Sequence, residues 1–231
     1  MRTFDDKTMA VLKRIREQSL REDGNDSIPA GRKLYAIPFE SGWFLYTLVR
    51  LIKPRLALEI GMSAGMSTIF IARAIKDNVQ SLAVSRQSLD VSSGQSAVAD
   101  ETPPIQSSLM ARPRLYTMEY DERKLALGRK NLEEVGLLDW VEIIEGDAKV
   151  NVKKLEGTFE FVFNDAEKVD YLYFIKELER VTKVGSVVIS DNAISHRDML
   201  QDFFVYLAES QKWLSQTIPI GNGLEMSLRV E

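Results

Sequence analysis

The chain has 231 residues, 45% of them hydrophobic and 28% charged, enough for one α/β domain that buries its own core. It has no cysteine and a single histidine, His196, which excludes disulfides, thiolate metal sites, iron–sulfur clusters, cysteine nucleophiles and multi-histidine metal centres. A formal net charge of −4 argues against a broad electrostatic footprint for nucleic acid.

No apolar stretch reaches the roughly 20 residues of a bilayer span, and Met1 to Asp23 lacks a signal-peptide core, so no membrane association and a cytoplasmic location are expected. Met9, Leu12, Ile15 and Leu20 are spaced for an amphipathic helix, ended by the polar run Arg21 to Asp26. Phe39–Leu51 reads as a second helix, stopped by Pro54, and residues 1–52 form an N-terminal helical segment. Strand and helix then alternate. Leu56–Ile60 is a strand and Ser67–Ile75 a helix; Leu115–Tyr120 is a strand, followed by a helix between the cap Asp121 and Gly136. Val141–Ile144 and Phe159–Phe163 are strands, Val169–Val181 a helix, Val187–Ile189 a strand and His196–Glu209 a helix. Trp213–Ile220 and Leu224–Val230 flank Gly221-Asn222-Gly223, a hairpin signal.

This order predicts a single domain over residues 1–231, with a doubly wound, mostly parallel seven-stranded sheet, helices on both faces and an antiparallel C-terminal hairpin. Residues 77–112 interrupt the rhythm with eight serines, four glutamines and Pro103-Pro104. They read as a solvated polar insertion, alternatively a lid or partner-binding element, with a private strand at Ser81–Val84 as a further option.

Between the first strand and its helix runs Glu59-Ile60-Gly61-Met62-Ser63-Ala64-Gly65-Met66-Ser67, at the carboxyl edge of the sheet where ligands bind in doubly wound folds. It is neither GxGxxG nor a P-loop, and a tight turn without a ligand is the alternative. Glu119 ends the second strand, where a carboxylate accepts both ribose hydroxyl hydrogens or caps the next helix. Asp147, after the third strand, borders a base or caps a helix.

Asp165 ends the fourth strand, and Asp191-Asn192 the fifth. Parallel neighbours lie about 4.8 Å apart, so these oxygens can converge as hard ligands for Mg²⁺ or a similar ion; paired helix caps are the alternative. Lys168, three residues past Asp165, is placed to take a proton, and His196 is a helix-start residue or a substrate contact.

These blocks resemble the class I S-adenosylmethionine (SAM) methyltransferases, and more narrowly the cation-dependent O-methyltransferases that include the catechol and caffeoyl-CoA enzymes, in a prokaryotic subgroup. Leu58 to Ser67 is similar to the family's first motif. Asp165-Ala166-Glu167-Lys168 with Tyr171 resembles its Asp-Ala-Asp-Lys-x-x-Tyr block. Gly185 to Asn192 is similar to its Pro-Gly-Gly…Asp-Asn strand, and Pro219 to Leu224 to its Pro-x-Gly-Asp-Gly-Leu hairpin. The resemblance implies a Rossmann-like fold, a SAM cofactor and a homodimer. It implies that Glu59, Gly61, Met62, Ser63, Ser67, Glu119, Tyr120, Asp147, Ala148, Asp165 and Glu167 form the cofactor site. Asp165, Asp191 and Asn192 would be metal ligands, and Lys168 the general base beside catalytic Asp165. Asn164 stands where the family has an apolar residue, and Ala193-Ile194-Ser195-His196 departs from its plant members.

The expected activity is methyl transfer from SAM to a hydroxyl of a small, catechol-like acceptor, with a divalent cation. Two alternatives stand beside it. One is a tRNA hydroxyuridine O-methyltransferase using a local patch of Lys13, Arg14, Arg16, Arg112 and Arg114; the other is a non-catalytic SAM-binding module.

Overall fold

The computed structural model describes residues 4–92 and 114–231. Its elements in chain order are α1 (Asp6–Asp23), α2 (Phe39–Ile52), β1 (Leu56–Ile60), α3 (Met66–Ser92), β2 (Arg114–Glu119), α4 (Glu122–Glu134) and β3 (Val141–Glu145). There follow α5 (Ala148–Asn151), β4 (Phe161–Asn164), α6 (Tyr171–Leu178), β5 (Val187–Ser190), α7 (Gln201–Glu209), β6 (Trp213–Ile218) and β7 (Leu224–Arg229). They form one seven-stranded sheet in the order β3-β2-β1-β4-β5-β7-β6. The first five are parallel, and β7 runs antiparallel between β5 and β6.

The central strands are apolar on both faces because helices cover both. Ala57, Phe161, Phe163 and Ile189 meet α1, α2 and α3 on one side. Leu58, Val162 and Val188 meet Tyr171, Phe174 and Phe203 of α6 and α7 on the other. The pleat thus decides which strand-end residue enters which layer. Among the described residues no helix is long and apolar enough to cross a membrane.

In α1 the Asp5 carboxylate accepts from Thr8 N–H at 2.7 Å and caps the helix. Its buried stripe is Thr8, Val11, Leu12, Ile15 and Ser19, leaving Leu20 58% exposed. The spacing places Leu20 inside, but one residue beyond Ser19 is a rotation of about 100° off the stripe. Ser19 takes the inner position because it is a tether: its hydroxyl accepts from Ala36 N–H at 2.8 Å and donates to Asp23 at 2.6 Å.

The polar insertion is corrected in part. Asp77 to Ser92 continues α3, and Ser81–Val84 is helical, not a strand. The residues are helix-tolerant, and the first of them are held by α2: Tyr46 Oη donates to Asp77 at 2.8 Å, and Asn78 Nδ2 donates to the Val49 carbonyl at 2.9 Å. Residues 93–112 lie outside the described residues.

The hairpin turn faces the loop after β5. Ala193 N–H donates to the Gly223 carbonyl, and the N–H groups of Ile194 and Ser195 donate to that of Asn222, at 2.9–3.1 Å. A Cβ on Gly223 would lie 2.5 Å from Ile194 N, so no larger residue fits.

Gly42, where α2 crosses α3, tests the packing. A Cβ there would lie 2.3 Å from the Phe70 ring, which is itself enclosed by Phe4, Phe39 and Trp43. Gly42→Ala is expected to destabilise the protein by about 2 kcal/mol despite better helix propensity. An unchanged urea midpoint would contradict this packing.

Candidate active site

The site forms at the carboxyl ends of β1, β2, β4 and β5. Beyond β1 the chain turns sharply, and the N–H groups of Gly61 and Met62 both donate to the Met118 carbonyl, at 3.1 and 3.0 Å. Gly61 has φ +97°, and a Cβ on it would lie 2.6 Å from the Asp165 carbonyl oxygen. Only glycine brings the β1 turn this close to the β4 end. Asp165 N–H in turn donates to the Ile60 carbonyl at 2.9 Å.

Ser63 takes φ +49° and makes two contacts from that conformation. Its N–H donates to Glu119 Oε2 at 2.8 Å, and its hydroxyl to the Leu34 carbonyl at 2.6 Å. The second bond holds the segment before α2 over the turn. A narrow cleft opens between Tyr35, Ala36 and Ile37 on one side and Gly61, Met62, Ser63, Ser67 and Asp165 on the other.

Glu119 is buried, and its Oε1 accepts from the N–H groups of Tyr120 and Asp121 at 2.9 and 3.0 Å. A carboxylate has about four lone-pair positions. Three are in use, so Oε2 has one left for a ribose hydroxyl while Ser63 stays bonded to it. Tyr120 is exposed beside this carboxylate, and burial together with the Glu167 charge pushes its phenol upward. Asp147 lies at the outer edge, accepting from Lys149 N–H at 2.8 Å as the cap of α5, whose first residue is Ala148. Met62 contributes backbone to the cleft, while its side chain packs against Gly128 of α4.

Glu59 points into the layer of α3. Its Oε2 accepts from the hydroxyls of Thr68 and Thr117 at 2.6 and 2.5 Å, so it ties β2 to the first turn of α3 behind the glycine turn. Burial pushes its carboxyl up to about 7. It orders the turn from behind and has no surface on the cleft.

The carboxylate cluster is brought together as expected. Asp191 is 2% exposed, and its Oδ1 has no hydrogen-bond partner. Asn192, at φ +62°, directs Nδ2 to Asp165 Oδ1 and Asp191 Oδ2, both at 3.1 Å. Lys168 Nζ lies 3.4 Å from Asp165 Oδ1. Burial raises both carboxyls, reinforced at Asp191 by the Asp165 charge and opposed at Asp165 by Lys168. Asn164 is buried beneath them, with Nδ2 3.5 Å from Ser190 Oγ and an unpaired Oδ1. Among the described residues no three acidic or histidine side chains gather as metal donors, so the donor set is two carboxylates and an amide. The free, buried Asp191 oxygen and the hard-oxygen chemistry of that set fit a divalent cation, provided Asn192 turns its oxygen inward.

The residues missed from sequence are Leu34 to Ile37, Thr68, Thr117 and Asn222, whose side chain faces Asp191. The basic patch is largely engaged within the chain: Arg14 pairs with Glu134, Arg16 donates to the Ala36 carbonyl, and Arg114 pairs with Glu142. Arg112 lies outside the described residues.

A glycine turn, a strand-end acid and a carboxylate pair at this edge of a 3-2-1-4-5-7-6 sheet define a Rossmann-like ligand-binding architecture. A family profile described as O-methyltransferase matches residues 105–229, more than half of the chain, and the protein belongs to that family. It is 27% identical over 182 residues to a catechol O-methyltransferase of Niastella koreensis, covering 77% of this chain and 67% of that one. Two solved O-methyltransferases share its fold. The Bacillus cereus enzyme in complex with SAH aligns with a TM-score of 0.68 at 20% identity, over 95% of this chain and 90% of that one. The Streptomyces achromogenes enzyme of tomaymycin synthesis, in complex with SAM, aligns with 0.70 at 23%, over 99% and 91%.

Glu59 yields a pH-dependence. Its carboxyl is held near 7 in the folded state against 4.5 when free, so between those values the folded state binds more protons. Its contribution is whole below pH 4.5 and is lost as pH rises through 7. Wild-type stability is therefore expected to fall between about pH 5 and about pH 8, and Glu59→Gln to flatten that fall by on the order of 1–3 kcal/mol in urea unfolding. Equal slopes for the two proteins would contradict the assignment.

Proposed function

We propose that this protein transfers a methyl group from SAM to a hydroxyl of a small, catechol-like acceptor, with a divalent cation held by Asp165, Asp191 and Asn192. The observation that carries this reading is the unpaired, buried Asp191 Oδ1 beside Asp165, which itself lines the glycine-turn cleft. The named activity of the Niastella koreensis relative supports the acceptor class. The bound cofactors of the two solved neighbours support SAM. A cytoplasmic homodimer belongs to the same reading, on resemblance alone.

SAM supplies an electrophilic methyl group, and the cation supplies positive charge beside the acceptor hydroxyl. The chain does the rest. Glu119 takes a ribose hydroxyl on its remaining lone pair, and Ser63 keeps the turn and the Leu34 segment closed around the cleft. Lys168, 3.4 Å from Asp165, is placed to take the acceptor's proton once its own ammonium has given one up beside the bound cation. With SAM and an acceptor bound, the cleft walls would bring the reacting groups together.

Release of SAH from SAM, assayed with a panel of catechols in Mg²⁺ and again in EDTA, tests the reading. Turnover in Mg²⁺ that EDTA abolishes is expected, as is loss of most activity in Asp165→Ala with the fold intact. Lys168→Met is expected to cut turnover by about 10²–10⁴. Turnover untouched by EDTA and by Asp165→Ala would refute the cation site. SAM binding without turnover on any catechol would refute the acceptor class.

A further inference from the structure

The hydrogen-bonding sense of His196 is set from the carboxylate cluster through two intervening groups. Only an NH₂ can donate to two carboxylates, so the bonds from Asn192 to Asp165 and Asp191 fix its amide orientation. Asn192 Oδ1 therefore faces Ser195 Oγ, 3.3 Å away, and receives the one proton that hydroxyl carries. Ser195 Oγ is left to accept on its other side, where His196 Nδ1 lies 2.9 Å away. The imidazole proton is thus on Nδ1, and Nε2 carries a lone pair. Burial and the Lys168 charge lower its pKa, which disfavours the charged ring. The loop carrying this chain of contacts is pinned. The N–H groups of Ile194 and Ser195 donate to the Asn222 carbonyl, and His196 N–H donates to the Asn192 carbonyl at 3.0 Å.

We infer that loading a divalent cation onto Asp165, Asp191 and Asn192 reverses this relay and moves the imidazole proton of His196 from Nδ1 to Nε2. The inference rests on the cation site proposed above. A hard cation is ligated by oxygen and not by an amide NH₂. Asn192 must therefore turn over to become a ligand, which brings its NH₂ to Ser195 Oγ. That oxygen now accepts from Asn192 and gives its proton to His196 Nδ1 as a hydrogen bond. One imidazole N–H is lost at Nδ1 and one gained at Nε2 by exchange with water, with no change in charge. Nε2 changes from acceptor to donor in a ring that already senses the Lys168 charge. His196 thereby becomes a positioning residue that offers a donor to an acceptor oxygen only when the metal is in place.

The single histidine makes the test direct. Protein labelled with ¹⁵N in the imidazole ring is titrated with Mg²⁺ at about pH 8, where the ring is neutral, while calorimetry on the same samples reads metal binding. The pyridine-like nitrogen resonance is expected to shift from Nε2 to Nδ1 as Mg²⁺ saturates. In Ser195→Ala the transfer is expected to be lost while Mg²⁺ still binds. Mg²⁺ binding with an unchanged tautomer, or a transfer that persists in Ser195→Ala, would overturn the relay alone. No calorimetric Mg²⁺ binding would overturn both the relay and the cation site.

Discussion

The approach of the Asp165 carbonyl to Gly61 is the constraint on which the rest of the site depends. Where β1 and β4 end side by side, the turn after β1 must bend toward the strand that carries the acidic residue. Any side chain on Gly61 would collide with a backbone oxygen, which cannot swing away as a flexible side chain can. Because the approach is allowed, the Ile60 carbonyl receives Asp165 N–H and the Met118 carbonyl receives both Gly61 and Met62. Three strands are thereby locked at the edge where cofactor and acceptor must meet, and Ser63 is placed to reach both Glu119 and Leu34.

The second requirement is electrostatic. Two carboxylates in a buried corner lose hydration, which raises both, and the Asp165 charge raises Asp191 further. Within the chain Asn192 and Lys168 offset this by donating to them. The cost is kept local because the loop after β5 is bolted to the hairpin turn, itself carried on β7 beside β5. The antiparallel addition to the sheet is therefore part of the site. It sets the position of Asn192, of Ser195 and, through Asn222, of the surroundings of Asp191.

Much of this was legible in the sequence, for identifiable reasons. The parallel core strands are apolar runs bounded by glycine or acidic residues, so β1 was read to the residue and the others to within about two. Asp165, Asp191 and Asn192 could be grouped because strand ends in a doubly wound sheet share one edge. The strap Leu34–Ile37 was not legible as part of the cleft, because its place depends on a hydroxyl 29 positions away, Ser63. Thr68 and Thr117 carry no motif, and their role appears only when Glu59 is found buried between them. The length of α3 is not legible because its serine and glutamine content resembles a solvated loop, although neither residue forbids a helix.

The most direct test of the account is the binding of SAM and of Mg²⁺, each by calorimetry, to Gly61→Ala, with Gly136→Ala as reference. Both glycines have positive φ, at +97° and +65°, but a Cβ at Gly136 would meet nothing within 4 Å. The two variants therefore share backbone strain and differ in the collision with Asp165. The account predicts that Gly61→Ala loses affinity for both SAM and Mg²⁺ while Gly136→Ala keeps both. Wild-type affinity for both in a folded Gly61→Ala would contradict it.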